Sequence, residues 1–302
     1  MDTEVYKIRS VGSCMKAAFE LYISNLKKII YRTWLPALLL SICSAFLIQF
    51  SLRPSNSLSS SLLILGFCLL VYACATWQNG IVVSLLNGRA FRTNITRVVR
   101  LALLLLLLII ILSLVIVFAG TIPMFIKGMK GISEQTIMFS GIITIATTLL
   151  FLFLSIPLWY SSYKYLMQPD TKLIQVIGRD YIRGLAHWGY LFIIVLLTTI
   201  FICVIGIVLY MPLAITSQAI TLDNYGKVMG DPSGLPSYFS IIAFTTTMIV
   251  SFINSYVMLW ALVTFYYAYG HIVAKDKAKK EAKAQGDVAV PSNETPIIPQ
   301  TI

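Results

Sequence analysis

Residues 101–126 read LALLLLLLIIILSLVIVFAGTIPMFI and contain no Asp, Glu, Lys, Arg or His. At about 1.5 Å of rise per residue, a helix of this length crosses the roughly 30 Å hydrocarbon core of a bilayer. Five further runs share this character: 34–52, 62–86, 137–163, 190–216 and 239–269. Backbone amides cannot stay unsatisfied in lipid, and runs of this length are too long for the strands of a membrane barrel. The sequence therefore predicts an all-α polytopic membrane bundle of six transmembrane helices.

The Lys and Arg residues are unequally divided between the two sides of this predicted bundle. Six precede the first run, four lie between the second and third, four between the fourth and fifth, and five follow the sixth. These nineteen of the 23 basic residues leave only Arg53, Lys127, Lys130 and Lys227 for the opposite connections. Because cytoplasmic loops carry the excess of basic residues, the pattern predicts a bacterial-type inner membrane protein with both termini in the cytoplasm.

The chain divides by composition into three segments. We expect a cytoplasmic amphipathic arm at 1–33, a six-span membrane domain at 34–270, and a Lys-rich cytoplasmic tail at 271–302. The 33 residues before the first run are of mixed polarity, so no cleavable signal peptide is expected. The tail begins as a Lys/Ala/Glu segment that is able to extend the sixth helix, and it ends in a Pro-containing stretch expected to be disordered.

Composition also bounds the partners. The formal net charge is +11, but the basic residues flank the apolar runs instead of forming a soluble domain. The expected partners are therefore anionic membrane lipids, with a membrane or cytoplasmic protein as a further candidate, and not nucleic acid. The five Cys residues show no CxxC or Cys/His spacing, so the sequence predicts neither a metal site nor another cofactor.

Three stretches that precede spans 1, 3 and 5 show amphipathic helical spacing. Before span 1, apolar residues recur at three- and four-residue steps at Val11, Met15, Phe19, Tyr22, Leu26 and Ile30. The stretches 91–98 and 173–185 repeat the pattern with a basic opposite face. Helices of this kind lie in the membrane interface. The sequence thus predicts three transmembrane hairpins, each preceded by a cytoplasmic interfacial helix.

The basic faces of the later two stretches are candidate binding sites for anionic lipid headgroups, since Arg and Lys bind phosphate through charge-assisted hydrogen bonds. The candidates are Arg89, Arg92, Arg97, Arg100, Lys172, Arg179 and Arg183. Small residues spaced by four mark two further faces at which helix backbones are expected to approach closely. These faces consist of Ala37, Ser41 and Ala45 in span 1, and of Ala243, Thr247, Ser251 and Ser255 in span 6. Pro157 is expected to kink span 4.

The strongest polar groups at membrane depth are Gln78, Asn79 and Asn254. They either line a substrate cavity or form hydrogen bonds between helices. A carboxylate, Lys or His at membrane depth, which proton- or ion-driven transporters usually carry, is absent from the six runs.

Two passages resemble a known family. They are Ser13 to Pro36, where a helix leads into span 1 through Leu-Pro, and Tyr165-Leu166-Met167 through Gly184-Leu185-Ala186-His187-Trp188-Gly189. Both are similar to bacterial six-helix membrane proteins of largely unknown function, which include the membrane domain of some glycerophosphodiester phosphodiesterases. The resemblance implies a stand-alone membrane domain. It carries no catalytic residues to this chain, because no phosphodiesterase domain follows in the sequence.

The sequence favours a non-enzymatic membrane scaffold or accessory protein, whose basic cytoplasmic face engages anionic lipid or a partner protein. One alternative is a facilitator or exporter of a neutral or lipidic substrate, with Gln78, Asn79 and Asn254 in a central cavity. The other is an interfacial lipid-modifying enzyme, which would draw on the carboxylates and imidazoles of Asp170, Asp180, His187 and His271.

Overall fold

The structure, a computed structural model, describes residues 5–52, 57–127, 133–232 and 234–288, and all of its regular elements in these ranges are helical. The α-helices are α1 (Val11–Ser24), α2 (Leu26–Ser51), α3 (Leu58–Asn87), α4 (Phe91–Lys127), α5 (Glu134–Met167), α6 (Arg179–Ala186), α7 (Trp188–Val228) and α8 (Phe239–Val288), with a 3-10 turn at Leu173–Val176 before α6.

Six of these helices, α2 to α5, α7 and α8, are long and apolar enough to cross a membrane. Each corresponds to one of the six apolar runs, which confirms the prediction of an all-α, multi-pass membrane protein. α2 packs against α3 and α8, α4 packs against α5, and α7 packs against α8.

Three stretches differ from the local expectation or extend it. Residues 91–98 are not a separate helix but the first turns of α4, because nothing in the sequence interrupts the helix before span 3 begins. α7 continues to Val228, twelve residues beyond the end of the apolar run 190–216. An ion pair of 2.6 Å between Asp223 and Lys227 supports its last turns. α8 extends to Val288 as the Lys/Ala/Glu composition allows, and the rest of the predicted disordered tail, residues 289–302, lies outside the described residues.

Buried side chains concentrate at one end of the bundle. This end, called the packed end below, consists of α1, residues 78–101, residues 156–198 and residues 256–283. Its fully buried side chains include Tyr269, Ile272 and Leu191. At the other end, the apolar side chains of α4 and α5 are mostly exposed, as expected for helices surrounded by lipid.

The N-terminal arm belongs to the packed end. α1 runs antiparallel to α8, since Val5 contacts Gly270, Cys14 lies beside the Thr264 carbonyl, and the Tyr22 hydroxyl donates to the Tyr256 carbonyl at 2.9 Å. The buried side chains of α1 are Cys14, Ala18 and Tyr22. Phe19, expected on the apolar stripe, is instead exposed. The small Cys14 and Ala18 side chains let α1 approach α8 closely, while Val11 and Met15 pack at the edge of the same contact.

The residues with small side chains predicted to lie at helix contacts are mostly buried. Ala37, Ser41 and Ala45 are buried on α2. On α8, Ala243, Thr247 and Ser255 are buried and Ser251 is half-buried.

Candidate functional site

Two arginines cap the C-terminal end of α5 by donating hydrogen bonds to its last carbonyls. Arg97, on the first turns of α4, donates from its guanidinium to the carbonyls of Tyr165, Gln168 (2.9 Å) and Pro169 (2.8 Å), and its charge lies 4.2 Å from the Tyr165 ring. Arg89 donates to the Met167 carbonyl at 2.8 Å. The last carbonyls of a helix lack intrahelical partners, and cationic donors satisfy them well. Arg89 and Arg97 therefore direct donors to the backbone of their own chain.

A second pair of polar side chains fixes the start of α4. The side-chain amides of Asn87 and Asn94 donate to each other, both at 2.9 Å, and Asn94 is 1% exposed. The Asn94 amide also donates to the Ser84 hydroxyl at 3.2 Å. Sequence reasoning missed this pair. The only signal was two amides seven residues apart around a glycine, Gly88, which takes the left-handed conformation with φ of 69°.

α6 folds back onto α5 through a buried ion pair. Lys164 Nζ of α5 lies 2.5 Å from Asp180 Oδ1 of α6, and the two side chains are 7% and 2% exposed. A buried charge is tolerated only with a partner, so the pair ties the two helices together. Sequence reasoning placed Asp180 among the interfacial candidates but missed Lys164, which lies one residue beyond an apolar run.

Pro157 makes the close approach of these helices possible. It has no N–H to bond the Phe153 carbonyl, and the Trp188 indole donates to that carbonyl at 3.2 Å instead. The Tyr181 hydroxyl donates to the adjacent Leu154 carbonyl at 2.8 Å. Gly184 of α6 packs directly on Pro157, where a Cβ would lie 2.7 Å from the Pro157 carbonyl oxygen. Pro157 and Gly184 thus position α6 against α5.

The C-terminal part of α8 closes this arrangement on its other side. His187 Nε2 lies 2.8 Å from Asp276 Oδ1. Two adjoining cavities, of about 480 Å³ and about 320 Å³, open between α6 and α8 and share Arg183, Asp276 and Lys280 in their walls. The two cavities together are called the basic cleft below.

Cations dominate the wall of the larger cavity. Arg179 and Arg183 come from α6, and Lys277 and Lys280 come from α8. All four are exposed, and within the described ranges Arg179, Arg183 and Lys280 form no hydrogen bond or ion pair. Lys277 has a loose, exposed pairing of 3.8 Å with Glu281. Cationic side chains that project into an open cleft without intramolecular partners are available to an anion.

The carboxylates near the cleft are largely engaged. Asp180 is paired with Lys164, and Asp276 is paired with His187. Asp170 is exposed at the rim of the larger cavity. The His187–Asp180 combination considered for an enzyme is not brought together, because each residue has a different partner. His271 accepts the Arg9 backbone N–H at Nδ1 (2.9 Å), away from the walls of the cleft.

The remaining predicted site residues lie elsewhere. Arg92, Arg100 and Lys172 are exposed at the packed end. Gln78 is buried and donates to the Ser255 hydroxyl at 3.3 Å, which is a hydrogen bond between α3 and α8. Asn79 and Asn254 are half-buried. The contact of Gln78 favours a packing role for this amide over a cavity-lining one.

No family model matches the chain, and comparison with the curated proteins and with the solved structures yields no match. The contacts and charges of the packed end are therefore the basis for a functional assignment.

Proposed function

We propose that the chain is a membrane scaffold or accessory protein of three transmembrane hairpins, whose packed end faces the cytoplasm and binds anionic lipid headgroups. The interfacial segments that precede spans 1 and 5 belong to this proposal, as does a bacterial-type inner membrane. So does the resemblance to bacterial six-helix membrane proteins of largely unknown function, which brings no catalytic residues to this chain. Such a basic face could instead bind a partner protein that carries acidic groups.

One observation carries the proposal: a continuous series of contacts joins the four basic segments of the chain at one end of the bundle. Arg9 contacts the Tyr267 ring and His271 on α8. Arg97 contacts residues 165–171 at the C-terminal end of α5 and just beyond it, and His187 contacts Asp276 on α8. An accumulation of positive charge on one side is what an anionic leaflet attracts.

The contacts also separate two groups of cations. Arg89 and Arg97 donate to backbone carbonyls, and Lys164 is neutralised by Asp180. The exposed cations Arg92, Arg100, Lys172, Arg179 and Arg183 remain for the membrane surface. Each cation near an anionic surface contributes about 1 kcal/mol of attraction, and added salt weakens it.

The chain's Trp residues offer a direct test. Trp34 and Trp159 are exposed on helices that reach the packed end, so brominated lipid in contact with them quenches their fluorescence. The full chain is reconstituted with brominated phosphatidylglycerol in phosphatidylcholine, and the preference for the anionic lipid is measured at low salt. Arg179→Gln/Arg183→Gln is expected to weaken this preference by about fivefold per charge.

Lys227→Gln is the control, because Lys227 lies at the opposite end and is already paired with Asp223. Its preference is expected to match that of the unaltered chain. If the double arginine variant also keeps the lipid preference of the unaltered chain at low salt, the proposal that the packed end binds anionic lipid is wrong. The scaffold proposal would then require that the basic face binds an acidic partner protein.

A further inference from the structure

The basic cleft differs from a flat basic surface because its cations come from two helices that face each other. Arg179 and Arg183 lie on α6, whose position is fixed by Pro157 and by the buried Lys164–Asp180 pair. Lys277 and Lys280 lie on the part of α8 that the His187–Asp276 contact holds in place. The two helices thus hold the cations around a volume of about 480 Å³, which is larger than a phosphate group requires.

The charge in the wall of this cavity has a definite excess. Four cations, Arg179, Arg183, Lys277 and Lys280, stand against the carboxylates of Asp170 and Asp276, and Lys277 also has its loose pairing with Glu281. This leaves between one and two positive charges uncompensated. Lys164 adds nothing to this excess because Asp180 neutralises it. In the adjoining cavity, Lys279 and Lys283 add positive charge at a greater distance. A ligand that carries more than one negative charge would match this excess.

We infer that the basic cleft binds a phosphate monoester group, and binds it more tightly than a phosphodiester. The inference rests on the proposed binding of anionic lipid and names the headgroup chemistry. At neutral pH a phosphate monoester carries between one and a half and two negative charges, with three acceptor oxygens. A diester carries one charge. The fork of an Arg guanidinium bonds two oxygens of one phosphate, and Arg179 and Arg183 are available for such contacts.

The geometry explains why the cleft, and not the rest of the face, makes this distinction. On a flat surface, exposed cations such as Arg92 and Arg100 respond to the total charge of the leaflet, and water screens each of them. In the cleft, cations approach one headgroup from both α6 and α8. A monoester has one more acceptor oxygen and more negative charge than a diester. It can therefore bond cationic donors of the cleft that a diester would not reach.

The test uses the full chain in neutral detergent, with binding followed by Trp fluorescence. The probes are dioctanoyl phosphatidic acid, dioctanoyl phosphatidylglycerol and inorganic phosphate at pH 7.5. Phosphatidic acid is expected to bind at least about fivefold more tightly than phosphatidylglycerol, which corresponds to one additional charge near the cations. Arg179→Gln/Arg183→Gln is expected to bring this ratio close to one.

Arg92→Gln/Arg100→Gln is the matched control, since it removes the same charge from the same end outside the cleft. This variant is expected to weaken the binding of both lipids and to leave the ratio of their affinities unchanged. Lowering the pH to 5 protonates the monoester, so the ratio of the unaltered chain should fall. Displacement of phosphatidic acid by inorganic phosphate at similar concentration would support the monoester site and identify a soluble phosphate ester as its source.

The outcomes distinguish this inference from the proposed function. Equal affinity for the two lipids, with both preferred over phosphatidylcholine, would overturn the monoester site and leave the anionic-lipid scaffold standing. A retained ratio in Arg179→Gln/Arg183→Gln, with thermal stability unchanged, would place the selectivity outside the cleft and also overturn the inference. Absence of any preference over phosphatidylcholine would overturn both.

Discussion

The buried pair of Lys164 and Asp180 shows how a single side chain controls the packed end. Both groups lie out of water, and each is tolerated because the other compensates its charge. Removing one partner leaves an uncompensated buried charge, whereas replacing both by apolar groups leaves none. The pair is therefore expected to respond very differently to single and double substitution.

We expect Lys164→Met to lower the free energy of unfolding by about 3 to 5 kcal/mol, because the Asp180 carboxylate stays buried without a cation. The double variant Lys164→Met/Asp180→Leu should recover most of this loss. Chemical denaturation in detergent, followed by Trp fluorescence, measures both. Lys16→Met is the control, since its 3.9 Å pair with Glu20 is exposed and should contribute little. A single variant no less stable than this control would show that the pair does not hold α6 to α5.

Cys14 gives the packed end a dependence on alkaline pH. Burial raises the pKa of the Cys14 thiol to about 11, from an ordinary value of 9.0. Because the folded pKa lies above the unfolded one, the unfolded chain releases the thiol proton first. The stability that this thiol contributes is fully present below pH 9 and decreases as the pH rises toward 11.

Cys14→Ala removes this titration. Between pH 9 and 11, the unfolding free energy of the unaltered chain is expected to fall by about 1 to 2 kcal/mol more than that of the variant. Denaturation curves at pH 7, 9, 10 and 11 measure the difference. Because both proteins share every other titrating group, parallel pH profiles would show that the thiol is hydrated in the folded state.

At the scale of elements, the corner between α5 and α6 depends on a glycine facing a proline. A methyl group at position 184 would meet the Pro157 carbonyl oxygen at 2.7 Å and its Cα at 3.2 Å, and backbone atoms cannot rotate away. Gly184→Ala is expected to force α6 off α5 and to cost about 1 to 3 kcal/mol of unfolding free energy. Hydrogen exchange of residues 179–186 should rise in parallel.

Gly189→Ala is the matched control for this corner. Gly189 lies five residues further along, in the first turn of α7, and no heavy atom lies within 4 Å of the Cβ that the substitution adds. Since Ala favours helix over Gly, this variant should be as stable as the unaltered chain or slightly more so. Equal destabilisation by both substitutions would mean that helix α7, and not the α5–α6 contact, is the sensitive element.

The six long helices could be predicted because lipid imposes length and apolarity on every crossing. Breaks between elements were less predictable. Residues 91–98 carry the same amphipathic spacing as a separate interfacial helix, yet they continue into α4. Spacing reports which face a helix buries, but a break needs a local cause such as the Gly88 turn before α4.

At the scale of the whole molecule, the basic residues could be assigned to one end, but their individual partners could not. Arg89, Arg97, Arg179 and Arg183 occupy similar contexts in the sequence, and only the first two bind backbone carbonyls. Which arginine meets the end of α5 depends on how α4 lies against it. The cleft was missed for the same reason, since one wall comes from α6 and the other from residues about a hundred positions later in α8.

The contacts of the packed end also restrict the topology of the whole chain. Arg97 bonds residues 168–171, and His187 bonds Asp276, so three connections meet directly. Groups in hydrogen-bond contact cannot lie on opposite sides of roughly 30 Å of hydrocarbon. These connections must therefore share one side of the membrane, and the basic excess predicts the cytoplasmic side.

Single cysteines in a cysteine-free chain test this with a membrane-impermeant maleimide. Arg92→Cys, Lys172→Cys and Lys279→Cys probe three exposed positions of the packed end, and Ser237→Cys probes an exposed position before α8 at the other end. The first three are expected to react in inside-out vesicles and to be protected in intact cells, with the reverse for Ser237→Cys. Reaction of Arg92→Cys and Lys172→Cys from different sides would contradict the Arg97 contacts themselves. A uniform reversal of all four would keep the packed end and invert only its orientation, because the contacts fix which connections lie together while the basic excess alone selects the side.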